Sequence, residues 1–292
     1  MSSLKTCLHS FRLAYPDYPL ASVEFNPQGQ NNDVLVVNAA LILRFPRYPQ
    51  GIEDLKVETA ILRGIRPYVS LQIPDPQFVH LEGQAPGQAF IGYPRIPGAP
   101  LWRETLHGIA DPAILKRLAQ QLGQFLKSLH GLPVTQGVPV ALPLVDTPAA
   151  YNDLYKRICE KLIPGMRPAA SKAVEAHFEV FLGDPAFFTF QPVLKHGDFG
   201  PSNILYDPER QAVCGIIDFS GCALGDPAYD FAGLLSGYGE GFVRGCAAGY
   251  PEVEALLPRA RFYQGTFALE EALFGIENDD PQAFESGIDR YR

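Results

Sequence analysis

The sequence predicts an α+β protein with two lobes: an N-terminal lobe built on an antiparallel sheet and a larger, mainly helical C-terminal lobe. Short apolar runs rich in strand-forming residues fill the first 95 residues, whereas apolar residues spaced three and four apart dominate the rest. The 292 residues are 47% hydrophobic and 19% charged, which is typical of a globular chain with a sizeable core and excludes a disordered or fibrous protein.

The N-terminal lobe is expected over residues 1–93 and should contain an antiparallel sheet of five strands or a similar number. Asn38-Ala39-Ala40 separates two apolar runs and suits a tight hairpin. Pro46 and Pro49 then end the second run. The patterns favour strands at 34–37, 41–45 and 89–93 and a helix at 52–64.

A connector over 94–98 leads into the helical lobe, expected over 99–292. Asp111 can cap a helix whose first position is Pro112, and leucines at helical spacing follow up to His130-Gly131. Further helices are predicted near 149–161, 168–182, 228–248 and 252–277. Short strands at 192–195, 203–206 and 213–217 interrupt them as a small inserted hairpin unit.

The net charge of −8 is unevenly distributed. Residues 198–292 carry six arginines, no lysine and 16 carboxylates, a net charge of −10. A basic footprint for nucleic acid is absent, and the acidic third of the chain would attract a cationic partner.

The five cysteines form no CxxC motif, so we expect reduced thiols rather than disulfides or a zinc site. No apolar run reaches the 18 or so residues of a membrane span, and no signal peptide is visible. These features predict a cytoplasmic protein without a membrane partner, and we expect a monomer.

The segment His196-Gly197-Asp198-Phe199-Gly200-Pro201-Ser202-Asn203, with Asp218 fifteen residues further on, carries the strongest chemical signal. Asp198 follows a predicted strand, so its carboxylate can face a cleft. Asn203 and Asp218 lie at the ends of adjacent strands and offer oxygens to one hard cation such as Mg²⁺. One carboxylate as a base and two oxygen ligands for a metal is a layout typical of phosphoryl transfer.

HGDFGPSN followed by IIDFSGCALGDPAYDFA resembles the aminoglycoside phosphotransferase family, distant relatives of the protein kinases. His196, Asp198 and Asn203 match the kinase spacing H-R-D-x-x-x-x-N, and Asp218 matches the D-F-G position. ILRFPR and FIGYPRIPGAPL are similar to the branch that acts on the 2″-hydroxyl. The resemblance implies a kinase-like fold, ATP or GTP as phosphate donor, an aminoglycoside-like acceptor and antibiotic resistance.

The resemblance also implies residue roles in the helical lobe. Asp198 would be the catalytic base, Asn203 and Asp218 would hold Mg²⁺, and His196 would support the loop. In Gly225-Asp226-Pro227-Ala228-Tyr229-Asp230, the first aspartate is expected to buttress the catalytic loop and the second to cap the next helix.

In the N-terminal lobe the sequence departs from the kinase pattern. Arg44 stands where kinases use a strand lysine on the phosphates, and Glu58 is its expected partner, with Glu53 as the alternative. The turn 28–33 would cover the phosphates, although it lacks G-x-G-x-x-G. In the connector, the resemblance places Tyr93 at the back of the nucleotide pocket, with the Pro94 carbonyl as acceptor and the Ile96 N–H as donor to the base.

Acidic residues of the C-terminal third are candidates for binding the ammonium groups of a cationic substrate. They are Asp230, Glu240, Glu270 and Glu271. Because neighbouring helical residues point about 100° apart, only one of Glu270 and Glu271 should face a cleft.

Other functions stay open at this point. The core motif also occurs in kinases of choline, homoserine, sugars and macrolides. A metal-dependent hydrolase could use His196, Asp198 and Asp218 as ligands. A nucleotide-binding regulatory module without catalysis is a third class, which the intact Asp198, Asn203 and Asp218 argue against.

Overall fold

The structure is a computed structural model that describes residues 4–26, 31–133 and 141–292. The chain forms two compact units. The first comprises Met1–Trp102, Gly131–Ala141 and Ser202–Cys222, and the second comprises Arg103–His130, Leu142–Pro201 and Ala223–Arg292. The lobe limits expected from the sequence, 1–93, 94–98 and 99–292, stay a prediction.

The first unit contains an antiparallel sheet of five strands in the order β1-β2-β3-β5-β4. The strands are β1 (Val23–Asn26), β2 (Asn32–Val37), β3 (Leu41–Pro46), β4 (Phe78–His80) and β5 (Phe90–Pro94). The predicted α+β fold with an antiparallel sheet is thereby confirmed. The β2–β3 turn places Asn38 and Ala39 at φ 53°, and the Asn38 side chain stabilises it by accepting the N–H groups of Ala21 and Ser22.

Two helices cover opposite faces of this sheet. Because side chains alternate along β3, Leu43 and Phe45 pack with Cys7 and Phe11 of α1 (Leu4–Ala14). On the other face, α2 (Pro49–Ile65) contributes Ile52 and Leu55 to a cluster with Ile91 and Tyr93 of β5. The sequence predicted α2 but not α1.

A second, three-stranded sheet in the first unit consists of β6 (Ala99–Pro100), β8 (Ile204–Asp207) and β9 (Ala212–Ile216). Strands β8 and β9 form the predicted hairpin, with Ile204 opposite Ile216. The N–H of Ile216 also donates to the carbonyl of Gln72 at 2.9 Å. These contacts bring residues around 203 and 217 to the same end of the hairpin.

The second unit is mainly helical, and β7 (Val193–Lys195) pairs there with β10 (Ala223–Gly225). Its helices are α3 (Arg103–His107), α4 (Pro112–His130), α5 (Pro148–Lys161), α6 (Pro168–Gly183), α7 (Ala228–Tyr238), α8 (Glu240–Gly245), α9 (Val253–Glu277) and α10 (Pro281–Ile288).

The helices predicted near 111–131, 149–161, 168–182 and 252–277 are all observed. The pattern at 228–248 is divided into two helices, because Gly239 adopts φ 80° and ends α7. Helix α10 was not predicted; the Asp280 side chain caps it by accepting the N–H groups of Gln282 and Ala283. Among the described residues no helix is both long and apolar enough to cross a membrane.

Candidate active site

A cavity of about 340 Å³ in the first unit brings together predicted site residues from both of its sheets. Its ceiling is one face of the five-stranded sheet, because Ile42 lies opposite Tyr93 and Val34 lies opposite Arg44 in the strand register. The lining residues are Val34, Ile42, Arg44, Tyr93, Arg95, Ile96, Gly98, Pro100, Asn203, Leu205, Ile217 and Asp218.

Most of the predicted nucleotide-binding residues lie at this cavity. Arg44, Tyr93 and Ile96 line it, and Glu58 lies behind Arg44. Pro94 is exposed and is not among the lining residues. Of the turn predicted to cover phosphates, residues 28–30 lie outside the described residues.

Arg44 is a buried cation with two carboxylate partners. Its Nη1 donates to Glu58 Oε1 at 2.5 Å, and its Nη2 lies 3.6 Å from Asp218 Oδ1. Burial alone would lower the pKa of Arg44, but Glu58, Tyr93 and Asp218 together outweigh it, and the pKa is raised. Arg44 therefore stays charged and is anchored on α2 while facing the cavity.

Tyr93 is buried beside this pair. Burial raises its pKa to about 12, although the charge of the Arg44 guanidinium acts in the opposite direction. Arg44 and Tyr93 are diagonal neighbours on one face of β3 and β5, within reach of long side chains. The Tyr93 hydroxyl thus remains protonated and belongs to the group of side chains that holds Arg44.

Asp218 and Asn203 sit side by side at the cavity floor. The Asn203 carbonyl accepts the Ile217 N–H at 2.9 Å, which fixes the two chain segments next to each other. Asp218 adopts a left-handed backbone at φ 62°, and its Oδ1 accepts the Ser220 hydroxyl at 2.8 Å. Its side chain is 44% exposed, so the carboxylate is open to a ligand.

Oxygen donors from Asn203 and Asp218 suit a hard cation that keeps its other positions for water and phosphate, which is how Mg²⁺ binds with nucleotides. In the stretches that the structure describes, no three His, Cys, Asp or Glu side chains are grouped to hold a metal. The three ligands required by a metal-dependent hydrolase therefore form no such group.

Asp198 belongs to the second unit and lies in the loop after β7. It is exposed, in contrast to His196, which is fully buried. His196 Nδ1 accepts the N–H of Asp198 at 3.2 Å, and Gly197 adopts φ 83° between them. The loop thus buries the imidazole and presents the carboxylate to solvent.

Asp230 on α7 holds the backbone of this loop. Its two oxygens accept the N–H groups of His196 at 2.8 Å and Gly197 at 2.9 Å, and His130 Nε2 lies 3.0 Å away. Burial would raise the pKa of Asp230, but the bond to His130 and the charge-stabilising contacts lower it. The expected substrate contact of Asp230 is not available, because the residue is fully buried and its oxygens accept these bonds.

Asp226 has the helix-capping contacts that the family resemblance assigned to Asp230. Its Oδ1 accepts the Ala228 N–H at 2.9 Å at the start of α7. Arg259 pairs with both oxygens, and the Tyr263 hydroxyl donates to Oδ2 at 2.9 Å. The loop contacts expected of Asp226 are therefore made by Asp230, one helical turn later.

Two glycines on α7 that were not predicted as site residues let the loop pack directly on the helix. A Cβ at Gly233 would lie 2.5 Å from the Phe199 carbonyl oxygen, and one at Gly237 would lie 2.4 Å from Pro201. With Asp230 they form a stripe at spacings of three and four on one face. The signal in the sequence was the small-residue spacing G-x-x-x-G within a helical pattern.

A second missed group is the buried ion pair of Lys195 and Asp146. Their Nζ and Oδ2 atoms are 2.7 Å apart, and the Lys195 ammonium lies 3.4 Å from the Tyr229 ring centroid. Asp146 also accepts the Asp226 N–H and the Tyr151 hydroxyl. Lys195 directly precedes the His196 loop, so this network fixes the strand from which the loop departs.

The candidate substrate carboxylates have different surroundings. Glu240 pairs with Arg244 at 2.7 Å and Arg261 at 2.8 Å, which lowers its pKa, the Arg261 hydrogen bond contributing most. Glu271 is exposed. Glu270 is half-buried and accepts the Thr266 hydroxyl, and burial raises its pKa.

Residues 22–263 match the family model described as "Phosphotransferase enzyme family". The viomycin phosphotransferase of Streptomyces vinaceus is 26% identical over 272 residues, which cover 91% of each chain.

Solved structures are similar over nearly the whole chain. The GDP and kanamycin complex of an APH(2″) enzyme shares 25% identity at a TM-score of 0.89, covering 97% of this chain and 96% of that one. The macrolide 2′-phosphotransferase MphH from Brachybacterium faecium shares 17% identity at a TM-score of 0.76, covering 99% and 97%. The latter likeness concerns the fold alone.

Proposed function

The chain belongs to the phosphotransferase enzyme family, and from this premise we propose that it transfers the γ-phosphate of a nucleoside triphosphate to a hydroxyl of an aminoglycoside-like cationic antibiotic. The observation that carries the proposal is the cavity of the first unit, where Arg44, Asn203 and Asp218 converge. The relatives named above act on viomycin or bind kanamycin with GDP, which supports an antibiotic acceptor and a purine nucleotide donor. Inactivation of such a drug would give resistance to it.

The predicted site residues at and around the cavity have separate roles in this reaction. Arg44 would bind the phosphates bidentately, since Glu58 anchors one side of its guanidinium. Asn203 and Asp218 would hold Mg²⁺, which supplies charge stabilisation to the transferring phosphoryl group. Tyr93 closes the back of the pocket, and the backbone at Pro94 and Ile96 would pair with the base.

Asp198 would act as the base. Its carboxylate accepts the proton of the attacking hydroxyl while the oxygen–phosphorus bond to the acceptor forms and the bond to the nucleoside diphosphate breaks. The buried His196 and Asp230 fix the loop backbone, so the carboxylate loses little freedom when the acceptor binds. Asp198 is exposed in the structure, as a group that must meet a substrate requires.

We propose that Glu270 is the carboxylate that binds an ammonium group of the acceptor. Lys195 pairs with Asp146 and Arg259 pairs with Asp226, whereas Glu270 has no lysine or arginine at ion-pair distance in the described part of the chain. A half-buried carboxylate without a cation favours a cationic ligand. Glu240 already forms ion pairs with two arginines, and the charge of Glu271 is solvated. Neither carboxylate therefore favours a cationic ligand as Glu270 does.

The Glu270→Gln variant tests this role. We expect the KM for a polycationic aminoglycoside to rise severalfold or more, because a charge-assisted hydrogen bond is lost, while the KM for the nucleotide stays unchanged. Glu271→Gln removes the same charge one position away on the exposed side and should behave as wild type. Equal effects of the two substitutions would show that Glu270 does not contact the acceptor.

A substrate panel tests the function itself. Purified protein is incubated with Mg²⁺, ATP or GTP and one acceptor, and the released diphosphate is measured for kanamycin, gentamicin, viomycin, a macrolide, choline, homoserine and a sugar. We expect turnover with cationic antibiotics in the wild type and none with Asp198→Ala. Turnover with choline, homoserine or a sugar alone would overturn the proposal of an antibiotic acceptor and still support a kinase activity.

We further propose that the enzyme works as a monomer in the cytoplasm, where its five cysteines stay reduced. Light scattering coupled to size-exclusion chromatography should give a mass near 32.1 kDa. A mass of twice that value would show that the protein is a dimer and contradict the proposed monomer.

A further inference from the structure

A second cavity, of about 440 Å³, lies in the second unit among α3, α4, α7 and α8. Its size is within the range of pockets for small organic molecules. Its residues belong neither to the nucleotide cavity nor to the loop that carries Asp198. No part of the proposed transfer reaction uses it.

The walls of this cavity are apolar. Leu106 and Leu115 contribute aliphatic surface, and Tyr238 packs edge-on against Phe242 with ring centroids 5.0 Å apart. Tyr238 is only 6% exposed, although its neighbour Gly239 ends the helix at the surface. A planar or alkyl body would replace water against these side chains, and burial of apolar surface favours that exchange.

Two basic side chains, His107 and Lys116, lie at the exposed edge of the cavity, and none of its lining residues is acidic. Lys116 contacts no carboxylate at ion-pair distance in the described residues. Lys127 and Lys161 in the same unit each pair with a glutamate, at 2.8 Å and 2.6 Å. The cavity edge therefore has an unneutralised positive charge in a chain whose net charge is −8.

We propose that this cavity binds a small amphiphilic anion, with an aromatic or alkyl body against Leu106, Tyr238 and Phe242 and a carboxylate or sulfonate at Lys116 and His107. A charge-assisted hydrogen bond to Lys116 fixes one end of the ligand. The apolar walls provide most of the contact area and no competing carboxylate.

The site lies next to the support of the catalytic loop. Tyr238 directly follows Gly237, whose backbone packs against Pro201. Arg103 of α3 donates to the carbonyls of Ser236 and Gly237 at the end of α7. An occupant would therefore contact the last turn of the helix that carries Asp230.

The test uses 8-anilino-1-naphthalenesulfonate, an aromatic sulfonate whose fluorescence rises on transfer from water to an apolar site, titrated into the full-length protein. Lys116→Glu should weaken its binding at least tenfold, because the charge at the cavity edge is reversed. Gly241→Leu should do the same by filling the cavity, since a Cβ at Gly241 meets no atom within 4 Å. The uncharged N-phenyl-1-naphthylamine should bind at least tenfold more weakly than the sulfonate.

Matched controls have the same substitutions outside the cavity. Lys172→Glu changes an exposed lysine of α6, and Gly183→Leu adds a side chain at another glycine with free space. Both should bind the sulfonate within twofold of wild type, and saturating GDP should not displace it. Wild-type affinity in Lys116→Glu, displacement by GDP, or equal affinity for the uncharged probe would each overturn the proposal. Lys116 is exposed, so its variant tests the proposal even if Gly241→Leu fails to fold.

Discussion

Arg44 shows how a single position can depart from the kinase pattern and still place a fixed cation at the cavity that we propose binds the nucleotide. A lysine ammonium has no planar fork, whereas the guanidinium spans Glu58 on one side and faces Asp218 on the other. Tyr93 adds a buried hydroxyl to this group. The arginine is therefore held in place by the protein alone, and in its proposed role this reduces the entropy lost when a nucleotide binds.

Tyr93→Phe tests this positioning at the scale of one atom. The substitution removes the buried hydroxyl beside the Arg44 guanidinium and leaves the rest of the ring in place. We expect at least a severalfold rise in the KM for the nucleotide with little change in the KM for the acceptor. Tyr48→Phe, at a tyrosine that is 59% exposed, provides the control. If both variants keep the wild-type nucleotide KM, the Tyr93 hydroxyl does not position Arg44.

Asp198→Ala should abolish turnover and leave nucleotide binding nearly intact. Groups that transfer protons in the transition state typically contribute about 10²–10⁴-fold to the rate. The comparison is kcat from diphosphate release against the nucleotide Kd from calorimetry, with the exposed Asp17→Ala as control. A variant that retained more than about a tenth of the wild-type kcat would remove Asp198 from the role of base.

Among the elements, helix α7 has the greatest influence on the site. One face of it supplies Asp230, Gly233 and Gly237 to the loop, and its first turn is capped by Asp226. At Gly233 the helix backbone contacts the loop backbone at Phe199, and at Gly237 it contacts the Pro201 ring, with no side chain from the helix at either position. Small changes in this helix should therefore move the loop itself.

Gly233→Ala is the corresponding variant. Its methyl group would lie 2.5 Å from the Phe199 carbonyl oxygen, and overpacking of this kind costs about 1–3 kcal/mol. We expect a lower Tm and a reduced kcat. Gly241→Ala makes the same change in α8 where space is free, and there the helix propensity of alanine should raise stability by roughly 0.5–1 kcal/mol. Thermal unfolding of the two variants separates packing from propensity, and an unchanged Tm in Gly233→Ala would contradict the contact.

The sequence allowed the elements with strong local signals to be predicted, and the remaining ones depend on partners distant in the chain. The strand at 41–45 was predicted from its apolar run, and the alternation of side chains along it places Arg44 and Leu43 on opposite faces. Helix α1 was not predicted, because the burial of its apolar side chains depends on their packing against the five-stranded sheet. The roles of Asp226 and Asp230 were predicted in reverse for the same reason. Both residues fit a helix start, and only their tertiary contacts show which one caps the helix and which one holds the loop.

At the scale of the whole molecule, charge has the clearest consequence. The net charge of −10 on residues 198–292 should attract a polycationic acceptor before any contact forms. Salt screens this attraction over about 8–10 Å at physiological ionic strength. We expect kcat/KM for an aminoglycoside to fall steadily between about 0.05 M and 0.5 M salt, while an uncharged acceptor responds little. A kcat/KM that does not change with salt would show that the acidic surface does not contribute to substrate binding.

The cavity that we propose binds the nucleotide is lined by residues far apart in the sequence, and this affects when it forms during protein synthesis. Its residues come from one compact unit, yet they run from Val34 to Asp218 along the chain. A ribosome adding about 5–20 residues per second needs roughly 10–40 s to pass from the first of them to the last. During that interval the five-stranded sheet can already exist, but the hairpin that completes the cavity has not yet been made. The nascent chain would then gain its affinity for nucleotide only late, and a binding assay on stalled chains of increasing length should show that gain once Asp218 has left the exit tunnel.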